Sequence, residues 1–325
     1  MTFMPSSALP SSNSSHHAAT RNLVHGTSWA ETTMAARRRA LQDLFVQRAP
    51  TMALAELIDK VRADRDALSE PTCILITGDT GVGKSTFLRH YAAQHPPRRD
   101  AGCLVQPVIY EELQSETTIL GAAKALLYRL EDPSCGKGGL ADLTYRVHHQ
   151  LGAQRVEVVL LDEFQHIVET GEITVNKVAD WFKQVAKAAN VPFVMAGMPT
   201  AARVIQSHEQ FAGITPYRYT LDQFDYESQK GRNAFREFLA LVDAKLPFDG
   251  VARFANKEDA RALFDVTGGR LRPLMRLIKQ AALHALDRGS TNVGPIDLAY
   301  GYDQIEPTHP AADNPFGPTS SARVA

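Results

Sequence analysis

One stretch of the sequence constrains the fold more than any other. From Thr72 to Tyr91 it reads TCILITGDTGVGKSTFLRHY: an apolar run, three glycines within six residues, then a lysine and two hydroxyl residues. Residues 78–85 match the pattern GxxxxGK[ST], and they lie between a strand-like and a helix-like pattern, as such a loop requires. Glycines let the backbone wrap closely around phosphate oxygens, and the helix that follows adds its positive N-terminal end. The stretch therefore predicts a nucleotide-binding loop, with a chance glycine turn as the alternative.

The residues of this loop have separate expected roles. We expect Lys84 to contact the β- and γ-phosphates and to act in catalysis, and Ser85 to bind Mg²⁺. The whole set that we predict to bind the nucleotide in this loop is Gly78, Asp79, Thr80, Gly81, Val82, Gly83, Lys84, Ser85 and Thr86.

A second motif, VEVVLLDEFQ, follows the loop at a distance of 78 residues from Lys84 to Asp162. Its apolar strand brings Asp162 and Glu163 to the carboxyl edge of a sheet, where open α/β sheets bind their ligands. We expect Asp162 to hold Mg²⁺ through water or Ser85, and Glu163 to polarise an attacking water. The alternative is an ordinary acidic turn after a core strand. Because simple kinases generally do not need a water-activating glutamate, the pair favours hydrolysis.

A third motif, TGGRLRPLMRLIKQA at residues 267–281, is strongly basic. It carries Arg270, Arg272, Arg276 and Lys279 and no acidic residue. Arg272 or Arg270, at the start of a helix, could reach the γ-phosphate of a bound nucleotide, and we place Arg272 ahead of Arg270. The alternative is a solvated basic helix face.

Apolar runs alternate with helical patterns between residues 54 and 221, which predicts a layered α/β sheet. The predicted strands are residues 73–77, 104–110, 156–162, 192–197 and 217–221. Beyond residue 221 the patterns are helical only. The predicted organisation is a disordered leader at 1–30, an α/β ATPase domain with N-terminal helices at 31–222, a helical lid at 223–305 and a flexible tail at 306–325.

Composition argues against several classes of protein. The net charge of −1 gives no global basic field for nucleic acid or a membrane, so any DNA contact must come from a local patch. The three cysteines lack metal-site spacing and predict reduced thiols in a cytoplasmic protein. No apolar run approaches the ~20 residues of a membrane span. The N-terminus also lacks the basic start and apolar core of a secretory signal.

Several segments resemble the AAA+ ATPases that assist DNA transposition, of the TniB and TnsC kind. The matching segments are LITGDTGVGKSTFL, PVIYEEL, VVLLDEFQHIVETG, NVPFVMAGMPTAARVI, LDQFDY with FREFLALVDAKLPF, and TGGRLRPLMRLIKQAALHALDRG. The likeness covers roughly residues 35–305. The glycine loop and the Asp-Glu pair occur in many ATPases, whereas DEFQHI, VMAGMPTA and AKLPF are more specific to this family.

The resemblance implies an AAA+ P-loop NTPase fold, with a five-stranded parallel sheet, a C-terminal all-helical lid and the Asp-Glu strand beside the phosphate loop. It implies a bacterial, cytoplasmic protein that binds ATP and Mg²⁺. Such proteins assemble on double-stranded DNA as rings or filaments, with six or seven subunits per turn expected here. They hand a target site to a DDE transposase, with a TniQ-type adaptor as a further partner, and ATP hydrolysis disassembles them.

The sequence departs from this family at the sensor and at the arginine that one subunit supplies to its neighbour. The fourth strand ends without a clear polar sensor, which leaves Thr200 as the candidate. Arg218 or Arg203 would have to take the place of the neighbour's arginine, so we predict slow or partner-stimulated hydrolysis. The candidates for DNA contact are Lys124, Arg129 and Lys137. Each of these is also explained by ordinary surface charge.

Two other classes of protein carry the same loop. One is a helicase-loader-like or signalling P-loop ATPase, which recognises a protein and not a duplex. The other is a metabolic kinase, against which Glu163 and the basic helical lid both count. Assembly on DNA in the presence of ATP would separate all three.

Overall fold

The computed structural model describes residues 28–168, 172–305 and 314–317. The strands in this part of the chain are β1 (Ile74–Thr77), β2 (Arg98–Asp100), β3 (Cys103–Val105), β4 (Val108–Glu112), β5 (Val158–Asp162), β6 (Phe193–Gly197) and β7 (Tyr217–Thr220). The helices are α1 (Met34–Gln42), α2 (Ala49–Asp64), α3 (Lys84–Ala93), α4 (Ile119–Arg129), α5 (Leu140–Ala153), α6 (Gln165–Val168), α7 (Glu172–Ala189), α8 (Arg203–Gln206), α9 (Glu209–Ile214), α10 (Gln229–Lys245), α11 (Lys257–Thr267), α12 (Leu271–Asp287) and α13 (Pro295–Asp303).

The central sheet has five parallel strands in the order β4-β5-β6-β1-β7, which confirms the predicted fold class. The predicted strand at 104–110 is wrong in one respect. Its first half is β3, which pairs antiparallel with β2 in a separate hairpin, and only β4 joins the sheet. Pro107 lies at the break, because proline has no N–H to donate to a strand ladder.

The Asp-Glu strand approaches the phosphate loop across one intervening strand. Strand β6 lies between β5 and β1, so the Asp-Glu strand is not adjacent to the strand that leads into the phosphate loop. Side-chain alternation still directs Asp162 toward that loop. Val158 and Leu160 pack with α2 and α3, whereas Val159 and Leu161 pack on the opposite face. Asp162 continues the first series and therefore faces α3.

Helices cover both faces of the sheet. Apolar side chains of α2 and α3 bury one face, with Leu54, Ile58 and Leu88 fully excluded from solvent. Helices α4, α5 and α7 bury the other face. Buried on both faces, the strands are almost wholly apolar, as parallel central strands require.

Helices α10 to α13 form a second unit with its own apolar core, in which Phe235, Leu274 and Leu277 are fully buried. Sequence reasoning assigned the N-terminal helices to the α/β domain, but α1 packs on this helical lid. Leu41 belongs to the lid core, and Lys279 Nζ donates to the carbonyl of Gln42 at 2.9 Å.

The predicted leader and tail lie mostly outside the described residues. Of the leader, Ser28 is described: its hydroxyl donates to Asp249 at 2.6 Å, at the start of a short 3-10 helix, Trp29–Glu31. Of the tail, residues 314–317 are described, and Phe316 packs against Tyr302 of α13. No helix within the described ranges has the length and apolar character needed to cross a membrane.

Candidate nucleotide-binding site

The loop between β1 and α3 adopts a conformation that depends on its glycines. Gly81 and Gly83 have φ angles of 87° and 103°, in the left-handed region that side chains other than glycine rarely adopt. At Gly78 a Cβ atom would lie 2.3 Å from the carbonyl oxygen of Leu221. Within the described chain, the backbone N–H groups of Gly81, Gly83 and Lys84 donate to no protein acceptor. These backbone N–H groups lie together at the N-terminus of α3, an arrangement that binds anions.

Lys84 is the first residue of α3, and its side chain is folded back into the loop. Its Nζ donates to the carbonyls of Gly78 at 2.6 Å and Asp79 at 3.0 Å, and the residue is buried. Burial lowers the pKa of Lys84, although the nearby Glu163 and Asp162 carboxylates partly oppose this. A buried ammonium beside unpaired N–H groups attracts a polyanion.

Asp162 is fully buried at the end of β5, yet it has polar partners. It accepts hydrogen bonds from the Tyr110 hydroxyl at 3.0 Å and from the backbone N–H of Glu163 at 2.9 Å, and the Ser85 hydroxyl also contacts it. Burial raises the pKa of Asp162, and these hydrogen bonds oppose the rise. The structure thus brings Ser85 and Asp162 together, as the sequence predicted.

The donor set fits a magnesium ion. In the described residues no three His, Cys, Asp or Glu side chains form a metal cluster of their own. Magnesium does not need one, since it binds through one or two protein oxygens, water and substrate phosphates. The Ser85 hydroxyl and the Asp162 carboxylate supply oxygens of that kind beside the phosphate loop.

Glu163 lines the same cavity as Lys84. Its backbone has a φ of 54°, which is uncommon for a residue with a side chain and turns the chain sharply after β5. Its carboxylate accepts a hydrogen bond from the Gln165 side chain. Thr200, the predicted sensor, is exposed in the short 3-10 helix Pro199–Ala202 and does not line the cavity.

A cavity of about 260 Å³ lies between the phosphate loop and the lid. The lid closes onto the loop, because the backbone N–H of Arg272 donates to the carbonyl of Gly81 at 2.9 Å. The cations that line the cavity are Arg48, Lys84, Arg89, Arg272, Arg276 and Lys279. Of the two arginines considered for the γ-phosphate, Arg272 therefore lies at the cavity. Arg270 is exposed and does not line it.

The other end of the cavity is apolar. The segment between α1 and α2 contributes Leu44, Phe45 and Val46, and the lid contributes Phe238 and Met275. The Phe45 ring stacks on His90, with the ring centroids 3.8 Å apart. Flat apolar and aromatic walls of this kind suit a nucleobase. Sequence reasoning missed the segment because no motif marks it; its one signal is the short apolar run LFV between two helical patterns.

Arg48 connects three parts of the site. Its guanidinium donates to the carbonyl of Val82 in the phosphate loop at 2.9 Å and to that of Asp222 before the lid at 2.7 Å. It also lies over the ring of Phe224, 5.3 Å from the centroid. Burial lowers the pKa of Arg48. The side chain of Arg48 therefore connects the start of α2 with the phosphate loop and with the hinge of the lid, the residues around Asp222 that lead into it.

The remaining candidates lie away from the cavity. Arg203 and Arg218 are exposed, on α8 and on the edge strand β7. Arg129 forms an ion pair with Glu111, a nearly buried residue, which gives this arginine a structural role. Lys124 lies five residues before Arg129, about 140° away around α4. Lys137 is exposed in the loop before α5. The three DNA candidates therefore do not form a continuous patch on one helix face.

Comparison with known proteins identifies the family. A model of the bacterial TniB protein matches residues 40–214, which is more than half of the chain. Similar solved structures include the ORC2 protein of Aeropyrum pernix with ADPNP and ADP, at 12% identity and a TM-score of 0.58 over 82% of this chain and 71% of that one. The ORC1 protein of the same organism, in complex with DNA, has 16% sequence identity and a TM-score of 0.58, over 83% of this chain and 69% of that one.

The Cdc6p protein of Pyrobaculum aerophilum gives 13% identity and a TM-score of 0.55, over 81% of this chain and 69% of that one. Identities this low establish the fold alone, which is that of the AAA+ proteins. No curated protein matches the chain. The family model, taken with the phosphate loop and the Asp-Glu strand that it spans, shows that the chain belongs to the TniB family.

Proposed function

We propose that the protein is an ATPase that regulates DNA transposition by assembling on double-stranded DNA. One observation carries the enzymatic part: Lys84 and Glu163 line a single cavity that the lid closes, and Asp162 is hydrogen-bonded to Ser85, which lines the same cavity. A site for nucleotide binding alone does not need a carboxylate beside the lysine. Glu163 therefore favours hydrolysis over simple binding.

The chain's own residues divide the work of hydrolysis. The unpaired N–H groups of the loop and the Lys84 ammonium bind the phosphates and hold them in one orientation. Ser85 and Asp162 would hold Mg²⁺, which, when bound, neutralises charge on the phosphate oxygens. Glu163 accepts a proton from the attacking water at its carboxylate. The guanidinium of Arg272, which lines the cavity, donates hydrogen bonds to the terminal phosphate and stabilises the negative charge that develops in the transition state.

Membership of the TniB family supports a role in transposition, with a DDE transposase and a TniQ-type adaptor as partners. The similar ORC1 protein of Aeropyrum pernix was solved in complex with DNA, which supports DNA as a ligand of this fold. A net charge of −1 is compatible with that role, because a ring or filament needs only a few phosphate contacts from each subunit. Lys124, Arg129 and Lys137 stay predictions for those contacts, and Arg203 and Arg218 for the arginine offered to a neighbour.

The test is ATP-dependent assembly. The purified full chain is mixed with duplex DNA and a non-hydrolysable ATP analogue, imaged by electron microscopy and titrated by fluorescence anisotropy over a range of salt. We expect ordered oligomers on DNA and an affinity that falls as salt rises. Adding ATP in place of the analogue should shorten their lifetime.

Three outcomes would contradict the proposal. A monomer that ignores DNA and phosphorylates a small molecule would indicate a kinase. An oligomer whose DNA affinity does not depend on salt would argue against phosphate contacts, and so for a loader or signalling ATPase. Assembly on DNA without any nucleotide would mean that the nucleotide cavity does not control assembly.

A further inference from the structure

The side chain of Gln165 lies between the catalytic carboxylate and the end of a neighbouring strand. Only 4% of this residue is exposed. Its amide nitrogen donates to Glu163 Oε2, and its amide oxygen accepts from the backbone N–H of Met198 at 3.0 Å. One buried amide thus joins the residue after β5 to the residue after β6.

The surroundings of this amide are shaped to hold it. The backbone N–H of Phe164 donates to the carbonyl of Ala196 at 2.9 Å, which docks the turn after β5 on the end of β6. Gly197 leaves the space that the amide fills, since a Cβ at that position would lie 2.6 Å from Gln165 Oε1. Met198 also lines the nucleotide cavity, and the Thr80 hydroxyl of the phosphate loop contacts its sulfur at 3.4 Å.

Glu163 needs such a partner. Its side chain has three rotatable bonds, and its backbone is already in the left-handed region, so few contacts fix the carboxylate. The hydrogen bond from Gln165 holds Oε2 and leaves the other oxygen available to a water molecule. The expected polar sensor is also missing from this edge, because Thr200 is exposed and Met198 occupies the cavity wall.

We propose that Gln165 is the positioning residue for Glu163, and that it takes the part a polar sensor at the end of β6 would otherwise have. Gln165 acts through Glu163 and through Met198, and it does not contact the phosphates itself. This inference rests on the proposed ATP hydrolysis. It adds to that proposal a role for Gln165, which connects the end of β6 to Glu163 and so to the attacking water.

The first variant, Gln165→Glu, separates the two halves of the amide. A glutamate keeps an oxygen for the Met198 N–H, but it has no N–H to donate to Glu163. We expect kcat to fall at least about tenfold, because misplacing a catalytic group by about 1 Å can cost a hundredfold. The Kd for a fluorescent ATP analogue should change less than about twofold, a margin of about 0.4 kcal/mol. Trapping of ADP with aluminium fluoride, which needs a positioned water but no turnover, should be lost in parallel.

A second variant, Gly197→Ala, disturbs the hydrogen bond between Gln165 and Glu163 without changing either residue. Its methyl group would displace the Gln165 amide and would also lie 3.2 Å from the backbone nitrogen of Gln165, whereas the φ angle of Gly197 is outside the left-handed region and itself permits alanine. We expect the same pattern, a lower kcat with nucleotide affinity retained. Gln154→Glu is the matched control, since Gln154 is also a buried glutamine, bonded to the Leu130 carbonyl far from the cavity.

A double variant tests whether Gln165 acts through Glu163. In a Glu163→Gln background, adding Gln165→Glu should cause no further loss in single-turnover rate, whereas independent effects would multiply. Unchanged kcat in both Gln165→Glu and Gly197→Ala would overturn the inference. Faster turnover would overturn it too, because the amide would then be holding Glu163 back. If the wild-type chain hydrolyses no ATP with or without DNA, the proposed function fails, and this inference fails with it.

Discussion

The two walls of the nucleotide cavity are built in different ways. On the sheet side, Lys84 lines the cavity and Asp162 is hydrogen-bonded to Ser85, which also lines it. Both Lys84 and Asp162 are buried, and each is held by at least two hydrogen bonds within the α/β domain. On the lid side, Arg272 and Arg276 are exposed at the start of α12, and their position depends on how the lid docks.

This difference separates two tasks. Groups fixed within one folded core are preorganised for chemistry, because they need no rearrangement when the reaction occurs. Groups on a second unit reach the nucleotide only when that unit is closed, so they report whether the lid is in place. Substitution of Lys84 or Glu163 on the sheet side should therefore abolish binding or chemistry, whereas substitutions on the lid side should reduce them in part.

The largest effect is expected on the sheet side from Lys84→Ala. The variant loses a buried cation that lines the cavity and donates to the loop carbonyls of Gly78 and Asp79. Removing one partner of a buried charge pair costs about 2–5 kcal/mol, so ATP affinity should fall by roughly thirtyfold to several thousandfold. Isothermal titration calorimetry with ATP and Mg²⁺ measures this. Normal affinity or normal ATP-dependent assembly would contradict the site assignment.

Glu163→Gln should separate binding from chemistry on the same wall. The amide cannot accept a proton from water, and general-base catalysis contributes about 10²–10⁴ to a rate. We expect ATP to bind with near-normal affinity, phosphate release to fall by about a hundredfold or more, and assemblies on DNA to persist. Steady-state phosphate release and the lifetime of the complexes check both expectations. Rapid turnover in this variant would move the catalytic role to another residue.

On the lid side, Arg272→Ala has a matched control in Arg270→Ala. Both residues are exposed arginines at the start of α12, but only Arg272 lines the cavity. A charge-assisted hydrogen bond contributes about 1.5–3 kcal/mol, so we expect kcat/KM for ATP to fall roughly tenfold to a hundredfold in Arg272→Ala. Arg270→Ala should remain within about twofold of the wild type. Equal losses in both variants would mean that the net charge of the helix matters, and not the place of one arginine.

The same contrast explains what the sequence could predict. The phosphate loop and the Asp-Glu strand depend on local patterns, a glycine turn and a buried apolar strand, so the sequence was sufficient to identify Ser85 and Asp162 as neighbours. The sequence is less informative where an element packs against a part of the chain that is remote in sequence. The strand predicted at 104–110 splits because Pro107 allows the first half to pair with β2, and α1 packs on a lid that begins almost 200 residues later.

Tertiary contacts also decide which residues were missed. The sequence placed Arg272 ahead of Arg270 for the γ-phosphate, but the contact itself depends on lid docking, which brings the backbone of Arg272 to Gly81. Phe45 and Arg48 carry no motif, and they join the site only because α2 starts beside α3 and the hinge of the lid. Gln165 is part of the motif that contains Asp162 and Glu163, but its partner Met198 lies 33 residues later in the chain, directly after β6.

The smallest expected effect comes from Tyr110, which lies on β4 beside the Asp-Glu strand. Its hydroxyl donates to Asp162 Oδ2 at 3.0 Å, and burial together with that carboxylate raises the pKa of Tyr110, so the hydroxyl stays a donor at all physiological pH values. Tyr110→Phe removes only this donor. Asp162 should then be less well oriented for Mg²⁺, because groups that hold a metal ligand in place contribute to metal affinity.

We expect the Mg²⁺ concentration needed for half-maximal ATPase activity to rise by up to about tenfold in Tyr110→Phe, with kcat at saturating Mg²⁺ little changed. Tyr128→Phe is the control, since the side chain of Tyr128 is exposed on α4 and does not contact Asp162. A lower kcat that excess Mg²⁺ does not restore would indicate that Tyr110 supports the sheet edge as a whole. In that case β4 as a whole, and not the single hydrogen bond from Tyr110 to Asp162, would help to keep the sheet-side groups in place.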